Sequence, residues 1–498
     1  MNSETLPRPR DYGGWRLSRG IGMMGLGTTG TLAVLGAVLA LIITGTADAR
    51  ALLYMGPPVL AAGAAGLIRK SGEPLTMIVL RRARWWHGSA RKRSHFRADV
   101  VREHSPAFTL PGVLAPLALL DAEDGYGGRY GLVLDRRTGY LTVTWRVVPA
   151  SLWLADREEA DGWVANWGGW LAGLGHQPAL RWVTVTVDTA PEPGSTLADR
   201  VARALDPAAP ATARQILGQL VDAAPAVAAD VDTLVSVTID PRALPASPGT
   251  LPEAVAETGR VLYGLESALG TCGVSVAGRL TAGEIAGIVR TAFDPAARGE
   301  VNRIAASARA GGDAEPLGWA DAGPVGAEEM ADRYEHDSGV SVTWAWAEAP
   351  RQNVTADVLA RLVAPGRYCK RVSLQYRPLP ATAAARLLES EVNASLFRAQ
   401  YRRRTGRDET ARDAFDQARA RQAAVEEAGG AGVCLVSLYA TVTVTDQADL
   451  PRAVAGTEAS AAASKIRLRR MTYSQAAGFA ATLPCGICPP DLARRMPH

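Results

Sequence analysis

An α+β protein, with a two-helix transmembrane hairpin ahead of a cytoplasmic body of two mixed α/β halves, is the fold class this sequence predicts. Three observations predict it. Residues 21–47 and 51–68 carry no charged side chain. Beyond residue 105, short β-branched runs alternate with helix-like stretches. A stretch rich in Gly, Ala and acidic residues at 296–338 divides that alternation into two parts, 106–295 and 339–490. Each part runs strand, long helical excursion, strand, helix, strand, helix, an order that suggests ferredoxin-like layers.

The hairpin comes first in the chain. A span needs roughly 20 apolar residues to cross the hydrocarbon core. The run 21–47 is ample for that, 51–68 is near the lower limit, and Asp48 and Arg50 mark the turn between them. Residues 1–20 are basic, with Arg8, Arg10, Arg16 and Arg19; residues 69–105 form a polybasic juxtamembrane segment that includes Arg69, Lys70, Arg81 and Arg82. Lys and Arg beside spans stay cytoplasmic, and Trp sits at headgroup level. This places the protein in a plasma membrane with both termini cytoplasmic. Trp15, Arg16, Arg19, Arg69, Lys70, Arg81, Arg82, Trp85 and Trp86 are then the membrane flank. The rival reading is a cleaved signal peptide ending at Ala47-Asp48-Ala49. Against it, the apolar run is about twice the usual signal core and a second run follows at once.

Composition fits an anchored body. The chain has 498 residues, 47% of them hydrophobic, enough for two or three domains. Five cysteines are few and odd in number, which suits a reducing compartment. Residues 1–104 hold 15 Lys/Arg and 6 Asp/Glu, net +9, against +4 for the whole chain, so the remainder carries −5. The basic charge therefore belongs to the flank, and an acidic body argues against nucleic acid as a partner.

In the body, 130–134 and 140–148 read as strands around the turn Asp135–Gly139, followed by a helix over 152–174 and a strand over 180–187. Helix-like stretches at 195–205 and 212–228 precede a strand at 234–239, a helix at 251–269, a strand at 274–277 and a helix at 282–292. Residues 296–338 read as an acidic linker or covering loop. Strands follow at 340–347 and 371–378. Residues 381–403 and 409–428 form a helical hairpin whose basic tip, Arg402, Arg403, Arg404 and Arg407, is the candidate partner-binding cluster. A strand at 432–444, a helix at 451–464, a strand at 465–471 and a helix at 473–483 close the body.

The motifs carry little chemistry. Gly20-Ile21-Gly22-Met23-Met24-Gly25 matches G-x-G-x-x-G but follows no strand, so the dinucleotide context fails. Ala33/Ala37 and Gly36/Ala40 put small residues one turn apart, which suits close helix packing and is also common in any Ala-rich run. Cys485-Gly486-Ile487-Cys488 is the one C-x-x-C; with prolines at 484, 489 and 490 around it, a turn is the plainer reading than a redox pair or half a zinc site. There is no G-x-x-x-x-G-K-[ST], no H-E-x-x-H and no G-x-S-x-G. No catalytic, cofactor-binding or metal-ligating residue is expected.

Tyr12-Gly13-Gly14-Trp15 ahead of the two apolar runs, then residues 119–128, Val185–Thr189, His336–Val340 and Trp344, resemble an actinobacterial family of conjugation-associated integral membrane proteins. That family is similar in plan to the type VII secretion component EccE. The body also resembles the non-motor N-terminal region of type IV secretion ATPases, through strand–helix order alone. The resemblance implies a membrane-anchored, non-enzymatic scaffold in a hetero-oligomer, docking a separate motor ATPase and other membrane subunits. A membrane-tethered DNA-binding transfer factor and a membrane-bound enzyme are the competing readings. Salt-dependent DNA binding by the body would favour the first of these.

Overall fold

The computed structural model describes residues 27–495, apart from 48, 68, 71–72, 99–108, 125–126, 152–154, 192–200, 203, 207, 224–228, 312–314, 349, 351 and 405–410. The first helices are α1 (Gly27–Ala47) and α2 (Ala49–Leu67), which fold back on each other. A Cβ built on Gly63 would lie 3.2 Å from that of Ala37, so small residues set their approach.

Among the described residues no helix is long and apolar enough to cross a membrane. This overturns the expected transmembrane hairpin and, with it, the membrane-protein assignment and the plasma-membrane localisation. Residues 21–26 of the expected first span lie outside the described residues. The physical reason is visible in the helices themselves. The strongly apolar part of α1 is Leu32–Ile43, between Thr28, Thr29, Thr31 and Thr44, Thr46. At 1.5 Å per residue that part covers about 18 Å, against about 30 Å of hydrocarbon. The Thr44 hydroxyl turns back to the Ala40 carbonyl at 2.8 Å. In α2, Arg50 and the internal Pro57-Pro58 break the apolar surface.

The polybasic stretch is built rather than extended. It holds the ribbon β1 (Arg69–Lys70) and β2 (Glu73–Pro74), helix α3 (Leu75–Ala90) and β3 (His95–Arg97). The body follows. Its first half contains β4 (Leu117–Glu123), β5 (Arg129–Asp135), β6 (Tyr140–Pro149), α4 (Arg157–Leu174), β7 (Leu180–Pro191), α5 (Ala211–Ala223), β8 (Ala229–Ile239), α6 (Leu251–Leu269), β9 (Val274–Arg279), α7 (Ala282–Phe293) and α8 (Arg298–Arg309). Its second half contains β10 (Gly326–Glu329), β11 (Tyr334–His336), β12 (Gly339–Glu348), α9 (Ala360–Val363), β13 (Cys369–Pro378), α10 (Ala381–Arg404), α11 (Ala411–Ala428), β14 (Cys434–Val444), α12 (Leu450–Ala463), β15 (Arg467–Arg470), α13 (Gln475–Ala481) and α14 (Pro489–Arg495).

Both halves share one 13-stranded sheet, ordered β3-β10-β11-β12-β14-β13-β7-β8-β6-β5-β4, with β15 added to β12 and β9 added to β6. From β10 to β4 the order is a palindrome. In each half the first long strand pairs along its start with the preceding hairpin and along its end with the last strand. The nucleus β6-α4-β7-β8-α6-β9 has the spatial order β9-β6-β8-β7, and β12-α9-β13-β14-α12-β15 has β15-β12-β14-β13. Both are the split βαβ order of ferredoxin-like units. The α+β body thus stands, as two such units joined edge to edge through β7 and β13.

Residues 296–338, expected as a linker, instead hold α8, β10 and β11. Tyr334 and Ala327 are buried in the core there, and the short strands are completed by pairing with β3 and β12. Acidic composition hid them: the Glu329 carboxylate is turned inward and accepts from the Ala476 N–H at 2.9 Å.

The two faces of the sheet differ by strict alternation. Leu141, Val143 and Trp145 of β6 face one core with Val235, Val237 and Leu262. Thr142 and Thr144 face the other way, where α7, α13 and the segment 482–488 cover the sheet. The residues 341–343 of β12 repeat this pattern beside Thr441 and Thr443.

Candidate functional site

The register superposes the halves residue by residue. Leu141-Thr142-Val143-Thr144-Trp145 corresponds to Val340-Ser341-Val342-Thr343-Trp344. Three side chains repeat with them. The Trp145 indole N–H donates to Glu266 at 3.0 Å, and Arg279 donates to the same carboxylate at 3.1 Å. The Trp344 indole N–H donates to Glu458 at 3.1 Å, and Arg470 donates to it at 3.3 Å. Each triad joins the first strand, the second helix and the last strand of its unit. A buried tryptophan needs a partner for its N–H, and the shared Glu supplies it.

Between the sheet and the covering segment lies a seam of hydroxyls. Thr142 and Thr238 are bonded at 2.9 Å, Thr144 and Ser236 at 2.8 Å, Ser341 and Thr443 at 2.7 Å, and Thr343 and Thr441 at 2.8 Å. Thr186 and Ser373, at 2.7 Å, sit on the pseudo-twofold axis itself. Hydroxyls pair across strands because each can both give and accept. Such pairs let a polar face be buried without unmet bonds.

Charge gathers beside the axis. Asp188 lies opposite Arg371 in the β7–β13 register. Arg298, from α8, donates to Asp188 at 3.0 Å and to Asp230 at 3.4 Å. Arg371 is buried, stacks on the Phe479 ring at 4.9 Å and donates to Thr482 at 3.4 Å. Burial alone would lower the Arg298 pKa, but Asp188 outweighs it and the guanidinium is held charged. Burial pulls the Arg371 pKa down. Cys369, half-buried beside both arginines, has its thiol pushed up by desolvation.

His336 closes the second-half end of the seam. It is bonded to the Phe293 carbonyl at 2.6 Å and to the Ser341 hydroxyl at 2.7 Å, among Phe293, Tyr334 and Phe479. Burial lowers its pKa to about 4. The unfolded chain therefore takes up this proton first, and the stability His336 contributes is complete above about pH 6.5 and lost as pH falls to about 4. The loss is about 3 kcal/mol at most. Urea midpoints should fall across that window and fall less in His336→Gln; parallel pH profiles for the two proteins would refute it. Glu284, whose pKa is lowered to about 2 where Arg309, the Thr281 N–H and Arg146 overcome its burial, adds its own loss mainly below this window.

The C-x-x-C lies at the first-half end. Gly486 adopts φ +70 and rests on Thr142 and Thr238, and the Ile487 carbonyl accepts from Gln375 at 2.8 Å. Both cysteines are free and buried. Burial pushes the Cys485 thiol up to about 12 and the Cys488 thiol up to about 11. Thiols held protonated are poor nucleophiles, so this turn acts as a clamp of the chain end on the sheet. Among the described residues no group of three or more His, Cys, Asp and Glu could hold a metal ion.

None of the seam residues named above was among the sequence-predicted site residues. Trp15, Arg16, Arg19 and Arg407 are outside the described residues, as are the side chains of Arg69, Lys70, Arg402, Arg403 and Arg404. Arg69 and Lys70 form β1, and Arg402 to Arg404 end α10. On α3, Arg82 and Trp86 are exposed, whereas Trp85 is turned onto the body, 5.5 Å from the Tyr473 ring. The strands holding 141–145 and 340–344 were legible in the sequence, but their match was found only through the register; Glu266, Glu458, Asp188 and Arg371 carried no local signal. No protein-family model matches this chain, and no curated protein sequence matches it.

Proposed function

We propose that the protein is a non-enzymatic docking subunit of a type IV- or type VII-like secretion or conjugation apparatus, positioning a separate motor ATPase. One observation carries the docking role. Leu35, Val38, Leu39, Ile42 and Ile43 on α1 are each about half exposed or more. Their spacing is i, i+3, i+4, i+7, i+8, a single stripe along the helix. A contiguous exposed apolar stripe marks an interaction surface, and a helix of this kind docks in a partner's groove. The apparatus itself is named by the sequence resemblance and by nothing further.

The full chain should co-purify with a motor subunit expressed beside it. The double variant Leu39→Glu/Ile42→Glu should keep its fold, since surface changes cost little, and should reduce recovery of the motor at least tenfold. Undiminished recovery would overturn the role of the stripe. Magnesium-dependent ATP turnover that follows the purified chain through every column would overturn the non-enzymatic assignment.

A further inference from the structure

Helix α3 has two unlike sides. Ile78, Arg81, Trp85 and Ser89 are half-buried along one of them, where Trp85 lies 5.5 Å from the Tyr473 ring. Val79, Ala83, Trp86 and Ala90 are exposed along the other, Val79 to 62% and Trp86 to 71%. At about 100° per residue, these four fall within about 60° of one another on the helix. Their spacing of four, three and four is that of the a and d positions of a coiled-coil seam. Leu80, 46% exposed, widens the seam at its first turn.

Charge around the seam has one sign. Residues 75–98 contain no Asp or Glu and hold Arg81, Arg82, Arg84, Arg91, Lys92, Arg93 and Arg97. All of these cations but Arg81 are exposed. From the body, Glu328 meets the segment at its far end, 3.3 Å from His95. On the helix itself the apolar seam runs between Arg82 on one side and His87 and Arg84 on the other, all three exposed. A helix that lies on lipid buries a broad apolar face. A seam of single residues with charges along its flanks is the contact one helix offers another.

We infer that the outer face of α3 docks an acidic amphipathic helix of a partner protein. The partner's apolar residues would lie on Val79, Ala83, Trp86 and Ala90, and its Asp or Glu residues beside Arg82 and Arg84. Flanking charges set partner choice in such pairs, and a tryptophan such as Trp86 is the usual anchor of an interface. The inference goes beyond the motor-docking role. It concerns a different surface from the α1 stripe and stands or falls without it.

The probe is a fluorescent helical peptide about three heptads long, with Leu at a and d and Glu at e and g, titrated into the full chain. Saturable binding that weakens as salt rises is expected, and the same peptide with Lys at e and g should bind at least tenfold more weakly. Trp86→Ala should weaken binding of the Glu peptide at least tenfold. Arg82→Glu/Arg84→Glu should reverse the preference between the two peptides, a result that a misfolded variant cannot give. Leu39→Glu/Ile42→Glu should bind the Glu peptide as the parent chain does; loss of binding there would put the peptide on the α1 stripe and overturn the site. Binding unchanged by Trp86→Ala, or equal binding of the two peptides, would overturn it as well. Binding of phosphatidylserine vesicles that Trp86→Ala abolishes, with neither peptide bound, would assign the seam to lipid and overturn the helical partner.

Discussion

Asp188→Asn is expected to destabilise the protein by about 3–5 kcal/mol, the range for removing one partner of a buried ion pair. The substitution keeps the shape of the side chain and removes its charge. Arg298 and Arg371, both buried, then face each other with only the half-exposed Asp230 as counter-charge. The loss is large because the remaining cations keep their desolvation cost without its compensation. It is comparable with the whole stability of many domains, about 5–15 kcal/mol. The shift in urea midpoint, at constant slope, measures it. Asp188→Asn/Arg298→Met removes the stranded cation as well and should recover part of the loss. A single variant within about 0.5 kcal/mol of the parent would show that the pair contributes nothing net, as exposed pairs commonly do.

This pair also explains how far the sequence could be read. Alternation in residues 141–145 and 340–344 was legible because each strand has one apolar face, and period 2 survives any tertiary context. Helices over 251–269 and 282–292 were legible as helix-like stretches, and the structure starts each with a capping box, Thr250 with Glu253 and Thr281 with Glu284. The meeting of Asp188 with Arg371 was not legible. It depends on β7 and β13 pairing across the axis, a contact between residues 183 positions apart that no local pattern encodes. The strands at 326–329 and 334–336 failed for a related reason. They are too short to show periodicity and become strands only because β3 and β12 flank them. The membrane reading failed on a different count. Lack of charge is not apolarity: the Thr and Gly residues at both ends of α1 are uncharged without being apolar. For the candidate seam, the Thr and Ser residues were visible as strand formers, but their facing one another across strands required the register.

Gly486→Ala carries the second large effect. A Cβ built there would lie 2.0 Å from the Thr142 hydroxyl oxygen and 2.9 Å from that of Thr238. Neither hydroxyl can swing away freely, since the two are bonded to each other at 2.9 Å beneath the segment. The backbone at φ +70 adds strain of about 1–2 kcal/mol for any residue with a Cβ. Overpacking adds about 1–3 kcal/mol, so a total of about 2–5 kcal/mol is expected. Gly112→Ala is the control. Its φ is +60, and nothing lies within 4 Å of the added atom, so it should lose the strain alone. The difference between the two variants isolates the contact of the chain end with the sheet. Displacing that contact should also uncover Cys485 and Cys488, which are buried under it. Faster alkylation of both thiols in Gly486→Ala, under conditions where Gly112→Ala stays protected, is the accompanying result. Equal losses in the two variants, with equal thiol protection, would show that the turn at 485–488 does not clamp the seam.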